Sequence, residues 1–243
     1  HIAENSFTGA LPTSWCNLTN VTKFYAYTNQ LTGSLPAEFS SLVLLVELLL
    51  YNNTLTGTLP PEWSMLRLLT YLHIATNRLT GTLPASWSNL TALRNLQLFS
   101  NQLTGTLPSE WSMLNSLTYL HIAMNSLTGT LPTSWSNMTA LDVLALHDNE
   151  LSGSLPNEWD TLSHARVLNL GGNKLNGTLP ATWSNLTSLQ ELQLYSNQLA
   201  GTLPPEWSML TSLESVRLNN NQLNGTLPSA WKNLSALGDL QLY

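Results

Sequence analysis

Leu93-Arg94-Asn95-Leu96-Gln97-Leu98-Phe99-Ser100-Asn101-Gln102-Leu103-Thr104-Gly105-Thr106-Leu107-Pro108 is one turn of a pattern that recurs along the whole chain, and its leucine spacing decides the fold. On a 24-residue ruler Asn101 has equivalents at Asn5, Asn29, Asn53, Asn77, Asn125, Asn149, Asn173, Asn197 and Asn221, with no insertion between any two. Four residues after each asparagine stands a glycine, from Gly9 to Gly225, and seven after it a proline, from Pro12 to Pro228. Ten residues after it comes an aromatic, which is Phe39 in one copy and tryptophan in the others, from Trp15 to Trp231.

The leucines read L-x-x-L-x-L-x-x-N-x-L. In the L-x-L segment side chains alternate in and out as on a strand, while the leucines on either side turn into the same interior. One copy cannot bury these leucines alone. Stacking ten of them at about 4.8 Å predicts a parallel sheet of about 48 Å with a continuous leucine core behind it. The asparagine ends the strand, and its amide is expected to serve backbone groups of neighbouring turns as a ladder. In Leu103-Thr104-Gly105-Thr106-Leu107-Pro108 the glycine permits a tight bend and the proline limits further pairing, which predicts a short second strand and then a 3-10 or irregular turn. The tryptophans follow on the convex side. At one-repeat spacing they either pack as a spine or form a ladder on which sugars stack.

This spacing is identified as the leucine-rich-repeat signature. The expected fold is a leucine-rich-repeat solenoid of the α/β type with little regular helix: a curved right-handed array with a concave parallel sheet and convex 3-10 or irregular turns. Residues 1–243 read as a single array of ten 24-residue repeats without terminal caps. A longer period is also present, since L-T-Y-L-H-I-A occurs at Leu69–Ala75 and again at Leu117–Ala123, as expected if repeats were duplicated in pairs. The phrase L-T-G-T-L-P-P-E-W-S-M-L at Leu55–Leu66 resembles the repeats of the promastigote surface antigen family of kinetoplastid protozoa. It also shares the L-x-G-x-L/I-P element with plant receptor-kinase ectodomains and polygalacturonase-inhibiting proteins. The first resemblance implies an extracellular, often membrane-anchored protein of surface contact, and the second implies recognition of a ligand or partner outside the cell.

Composition narrows the function classes. Charged residues make up 9% of the chain, far below the roughly 25% of an average soluble domain. With 8 Lys plus Arg and a net charge of -6, no basic patch is available for nucleic acid or an anionic membrane surface. A single cysteine, Cys16, leaves no internal disulfide; it occupies a slot held in most other copies by serine, as a small tolerated side chain, a reactive thiol or one half of a bridge outside the segment. No run of about 18 apolar residues is present, so membrane contact is expected only through an anchor outside this segment.

The outward strand positions are where a site is expected. Candidate ligand-binding residues there are Tyr25, Tyr27, Tyr51, Tyr71, His73, Phe99, Tyr119, His121, His147 and Tyr195. Aromatics beside Gln and Asn suit protein contact or stacking against a glycan, because they give area at low entropic cost. The same pairs also stabilise a sheet without any ligand: Tyr27 and Tyr51 on adjacent strands contribute about 0.2–1 kcal/mol. His73 and His121 lie two strands, about 9.6 Å, apart, too far to share a metal ion. No cofactor or metal is expected. Glu38, Glu62, Glu110, Glu158 and Glu206 share one repeat phase as a convex stripe and no catalytic motif is present, so an enzyme is not expected.

Sequons N-x-S/T occur at Asn17, Asn20, Asn52, Asn89, Asn137, Asn176, Asn185, Asn224 and Asn233. N-linked glycans would explain how so uncharged a surface stays soluble. The expected function is extracellular or cell-surface recognition or adhesion, with a protein or glycan partner on the concave face. The alternative is a coat or filament component that self-associates through stacked repeat ends, which light scattering over a concentration range would reveal.

Overall fold

The computed structural model describes residues 1–243. Its main feature is one parallel ten-stranded sheet whose strands, three residues each, follow one another in chain order from Lys23–Tyr25 to Asp239–Gln241. The register advances by one repeat per strand, so that Leu72, Leu96, Leu120, Leu144 and Leu168 align as a fully buried row. The residues on either side of this row face outward.

Most repeats continue into a short flanking strand such as Thr80–Thr82 or Gln102–Thr104, and the others make isolated bridges there, as at Thr58 and Thr128. Each repeat then enters a five-residue 3-10 helix such as Ser109–Met113 from an extended proline. In each case the proline carbonyl accepts from the backbone N–H three residues on, as Pro108 does from Trp111 at 3.2 Å. The expected second strand and 3-10 turn are therefore both present.

The tryptophans are inside. From Trp63 to Trp207 the indoles are buried, and successive rings such as Trp87, Trp111 and Trp135 lie 6.4–6.5 Å apart and nearly parallel. No face of these indoles is free for a sugar, so the spine reading holds and the sugar-ladder alternative falls. Strands of a sheet repeat every 4.8 Å or so. Equivalent points therefore separate more widely at the indoles, the repeats fan out, and the sheet occupies the inner, concave side. Each indole also reaches back one turn, with Trp111 Nε1 donating to the Pro84 carbonyl at 3.0 Å.

The asparagine ladder has the geometry its chemistry demands. Asn101 Nδ2 donates to the carbonyls of Ile74 and Leu98, each at 3.1 Å, and its Oδ1 accepts from the Leu79 N–H at 3.0 Å. The residue before each ladder asparagine is in the left-handed region: Ser100 has φ 53° and Met124 φ 55°. That twist turns the chain out of the strand and aims the amide back at two turns.

Candidate functional site

The candidate site is a run of rings on the concave face. Tyr27 stacks on Tyr51 at 4.5 Å with 5° between planes, and Tyr51 stacks on His73 at 4.1 Å. His73 leans toward Phe99 at 5.8 Å, Phe99 stacks on His121 at 4.3 Å, and His121 approaches His147 at 5.6 Å. The path zigzags between two phases of the repeat, that of Tyr51 and Phe99 and that of His73 and His121 two residues earlier, for a steric reason. Tyr51 and Phe99 stand just past their strands, and the equivalent positions between and after them are Ala75 and Ala123. Each alanine leaves a gap that the imidazole two residues earlier, His73 or His121, leans across. Ala75 and Ala123 are fully buried as a result, although they share the repeat phase of the outward candidates Tyr27, Tyr51, Phe99, His147 and Tyr195.

The other candidates take separate places. Tyr71 and Tyr119 flank the run, 6.2 and 6.3 Å from His73 and His121, and the Tyr71 hydroxyl accepts from Gln97 Nε2 at 3.2 Å. Tyr25 closes one end, packed edge-on against His1 and donating its hydroxyl proton to Glu47, which also pairs with Lys23 at 2.6 Å. Tyr195 stands apart, its ring lying over Gly171 so closely that a Cβ there would come within 2.4 Å of it.

The three histidines of the strip are neutral near pH 7. Burial, followed by mutual repulsion with His121, pulls His73 down from 6.5 to about 4. Burial and the nearby His147 bring His121 to about 4 as well, and burial lowers His147. His73 Nε2 and His147 Nδ1 are enclosed without a hydrogen-bond partner. The strip is thus an uncharged surface of phenol, imidazole and phenyl rings near pH 7. The unfolded chain takes up protons on His73 and His121 near pH 6.5, whereas the folded chain does so only near 4. The contribution of these imidazoles to folding stability is therefore expected to fall as pH drops from about 6.5 to about 4 and to level off below, where protonation of the ion-paired carboxylates Glu47, Asp142 and Asp239 continues the loss. Urea midpoints should fall across that window, and the His73→Gln, His121→Gln double variant should flatten the dependence.

All nine sequon asparagines are exposed. Asn17, Asn89, Asn137, Asn185 and Asn233 are the last residues of their 3-10 helices on the convex side. Asn176 lies on the flank, and Asn52 sits in the left-handed position before Asn53. No three His, Cys, Asp or Glu side chains are placed to hold a metal ion together, and no helix is long and apolar enough to cross a membrane.

Sequence alone missed the zigzag and the left-handed residues. Ala75 and Ala123 were the available signal for the first. For the second only Gly172, at φ 62°, hints at a conformation that its equivalents adopt with Thr, Asn, Ser, Met, Asp or Glu.

Family models described as leucine rich repeat match residues 44–66, 68–90, 92–114, 115–175, 188–210 and 212–234, together well over half of the chain. No curated protein matches the sequence. Among solved structures, the chain is similar to the plant peptide hormone receptor RGFR1 in complex with RGF2. That match has 34% identity and a TM-score of 0.92 over 97% of this chain and 42% of that one. It is similar to the Arabidopsis receptor kinase HAESA in complex with the peptide hormone IDA and the co-receptor SERK1, with 28% identity and a TM-score of 0.95 over 98% of this chain and 40% of that one. A plant ice-binding protein is 27% identical at a TM-score of 0.81, over 97% of this chain and 77% of that one. The chain thus spans less than half the length of these two receptor structures.

Proposed function

This chain belongs to the leucine-rich-repeat proteins, and from that premise we propose that it is an extracellular recognition protein that binds an extended polypeptide along its concave ring strip. The observation that carries the reading is the unbroken run from Tyr27 to His147. Six strands at about 4.8 Å make a strip of about 24 Å, the reach of about seven extended residues. Uncharged rings held by mutual stacking lose little entropy on contact, and they suit proline, aromatic and aliphatic side chains. The two receptor structures with bound peptide hormones support a peptide over a glycan, and the likeness to structures described as receptor-kinase ectodomains supports an extracellular setting here. The resemblance of Leu55–Leu66 to surface-antigen repeats accords with a cell-surface protein of contact. The proposal is one of binding, not of catalysis.

The test is a displayed peptide library panned on the native protein and on a variant with Tyr27, Tyr51, Tyr71 and Phe99 replaced by serine. Peptides enriched on the native protein should lose at least about thirtyfold in affinity for the variant, the loss of one strong hot spot, while circular dichroism stays native. Equal enrichment on both proteins, or capture of glycans from an array in place of peptides, overturns the reading.

Several of the exposed sequons carry N-linked glycans in this proposal. The protein purified from its native source should lose mass on glycosidase treatment, and an unchanged mass counts against it.

A second reading, the binding of ice, is supported by one surface and one likeness. The flank carries two rows of small residues without a single charge, from Thr8 and Ala10 to Asn224 and Thr226. The plant ice-binding protein is also the neighbour of which this chain covers more than it does of the two receptors.

A further inference from the structure

Resting on the second reading, we infer that the ice-binding surface is the threonine lattice of the flank, from Thr56-Gly57-Thr58 to Thr128-Gly129-Thr130, and not the concave strip. The flanking strands form a second parallel ladder along the solenoid. Every junction between neighbouring repeats is bridged, by short strand pairs or by single bridges such as Thr58 to Thr80 and Thr106 to Thr128. The register here advances by 22 residues, not 24, as in the pairing of Thr82 with Thr104. The threonine after the glycine in one repeat therefore sits beside the threonine before the glycine in the next, and in these four repeats all of them are exposed.

Their rotamers are fixed by two different contacts. Before the glycine, Thr80, Thr104 and Thr128 turn their hydroxyls onto the carbonyls of Gly57, Gly81 and Gly105 at 3.3–3.4 Å. After the glycine, each threonine presses its methyl onto the next repeat's glycine: Thr82 Cγ2 lies 2.7 Å, and Thr106 Cγ2 2.8 Å, from where a Cβ on Gly105 or Gly129 would stand. The glycine thus has two duties. It takes φ near 78° at Gly81 and Gly105, and it leaves the space that seats the methyl. A β-branched side chain with its methyl seated has one remaining orientation for its hydroxyl, so the lattice repeats the same hydroxyl vector from turn to turn. The hydroxyls after the glycine, Thr58, Thr82, Thr106 and Thr130, have no hydrogen-bond partner in the protein.

Such a surface matches ordered water better than a flexible chain. Hydrogen bonds of about 2.75 Å meeting at tetrahedral oxygens put second neighbours about 4.5 Å apart, and the ladder repeats at about 4.8 Å. Methyl groups favour caged water around them, and the interleaved hydroxyls anchor that water to the protein. Each site contributes little. Rigid repetition over successive turns lets the contributions act together, and the absence of charge spares the lattice the strongly hydrated groups that would disorder it.

The experiment is ice growth in a nanolitre osmometer with the full chain, the Thr82→Lys, Thr106→Lys double variant and the Tyr51→Ser, Phe99→Ser double variant, each checked for native circular dichroism. Expected are faceted crystals and a gap between melting and freezing for the native chain and the concave variant, and loss of both for the threonine variant. A native chain that shapes ice while the threonine variant does so equally overturns the placement on the flank and leaves the ice reading standing. Round crystals growing at the melting point with the native chain overturn the reading itself, and with it the lattice as its site.

Discussion

Trp111→Ala is expected to lower the unfolding free energy by about 4–6 kcal/mol, among the largest effects of any single substitution in this chain. The indole has no exposed surface and lies between Trp87 and Trp135 at 6.5 and 6.4 Å, with planes within 5° of parallel. Truncation removes both stacking contacts, leaves a cavity between two rigid turns, and takes the Nε1–H donor from the Pro84 carbonyl. Trp111→Phe separates these effects, because it keeps a ring in the stack and loses the donor and part of the volume; about 1–3 kcal/mol is expected. The second repeat already carries that exchange. Phe39 is buried at the spine position there, with an edge-on contact to Phe24 at 5.9 Å. Equilibrium urea unfolding followed by circular dichroism measures both variants. Each repeat touches only its neighbours, so a lesion at the centre uncouples the two halves, and the alanine variant should unfold in two phases where the native chain unfolds in one. A loss below about 2 kcal/mol for Trp111→Ala would mean that the spine fills space without holding the turns together.

The fold was legible because a solenoid is nearly one-dimensional. Leu96, Asn101, Gly105, Pro108 and Trp111 each do one job at one phase, and ten copies repeat the statement. What escaped the sequence depends on two rows, or two registers, acting together. His73 and Phe99 stand at different phases of the repeat; only the buried Ala75 between Tyr51 and Phe99 joins them. The flanking ladder steps by 22 residues while the concave sheet steps by 24, and a single ruler hides that stagger. The bond from each indole to the preceding proline carbonyl is likewise invisible, since tryptophan and proline each already have a sufficient reason to be where they are. The left-handed residues before the ladder asparagines vary from Glu4 to Asn220 with no shared chemistry. Their conformation is imposed by the ladder, not by their own preference.

Asn149→Ala is expected to cost about 3–5 kcal/mol, from the groups it would orphan more than from the volume it removes. Asn149 Nδ2 donates to the carbonyls of Ile122 and Leu146 at 3.1 Å and more weakly to that of His147 at 3.4 Å, and Oδ1 accepts from the Leu127 N–H at 3.0 Å. These partners come from two successive turns, so one amide fastens each turn to the one before it. Asn5→Ala is the internal control: Asn5 is exposed and serves only the carbonyls of Ile2 and Ala3, and its loss should stay within about 0.5 kcal/mol. Asn149→Asp is the sharper test, because it preserves shape and the acceptor for Leu127 while replacing the donor with an oxygen that faces carbonyl oxygens. At neutral pH this variant should be at least as unstable as the alanine variant, since an ionised carboxylate has no proton to give and is enclosed with like dipoles. Acidification should then narrow its deficit relative to the native chain, because a protonated carboxyl regains one donor. Native stability itself falls over part of that range as the imidazoles of the strip take up protons, so the difference between the two proteins at each pH is the quantity to compare. An Asp variant as stable as the native chain at neutral pH would mean that position 149 needs only an acceptor, and the ladder would then be held by its Oδ1 bonds alone.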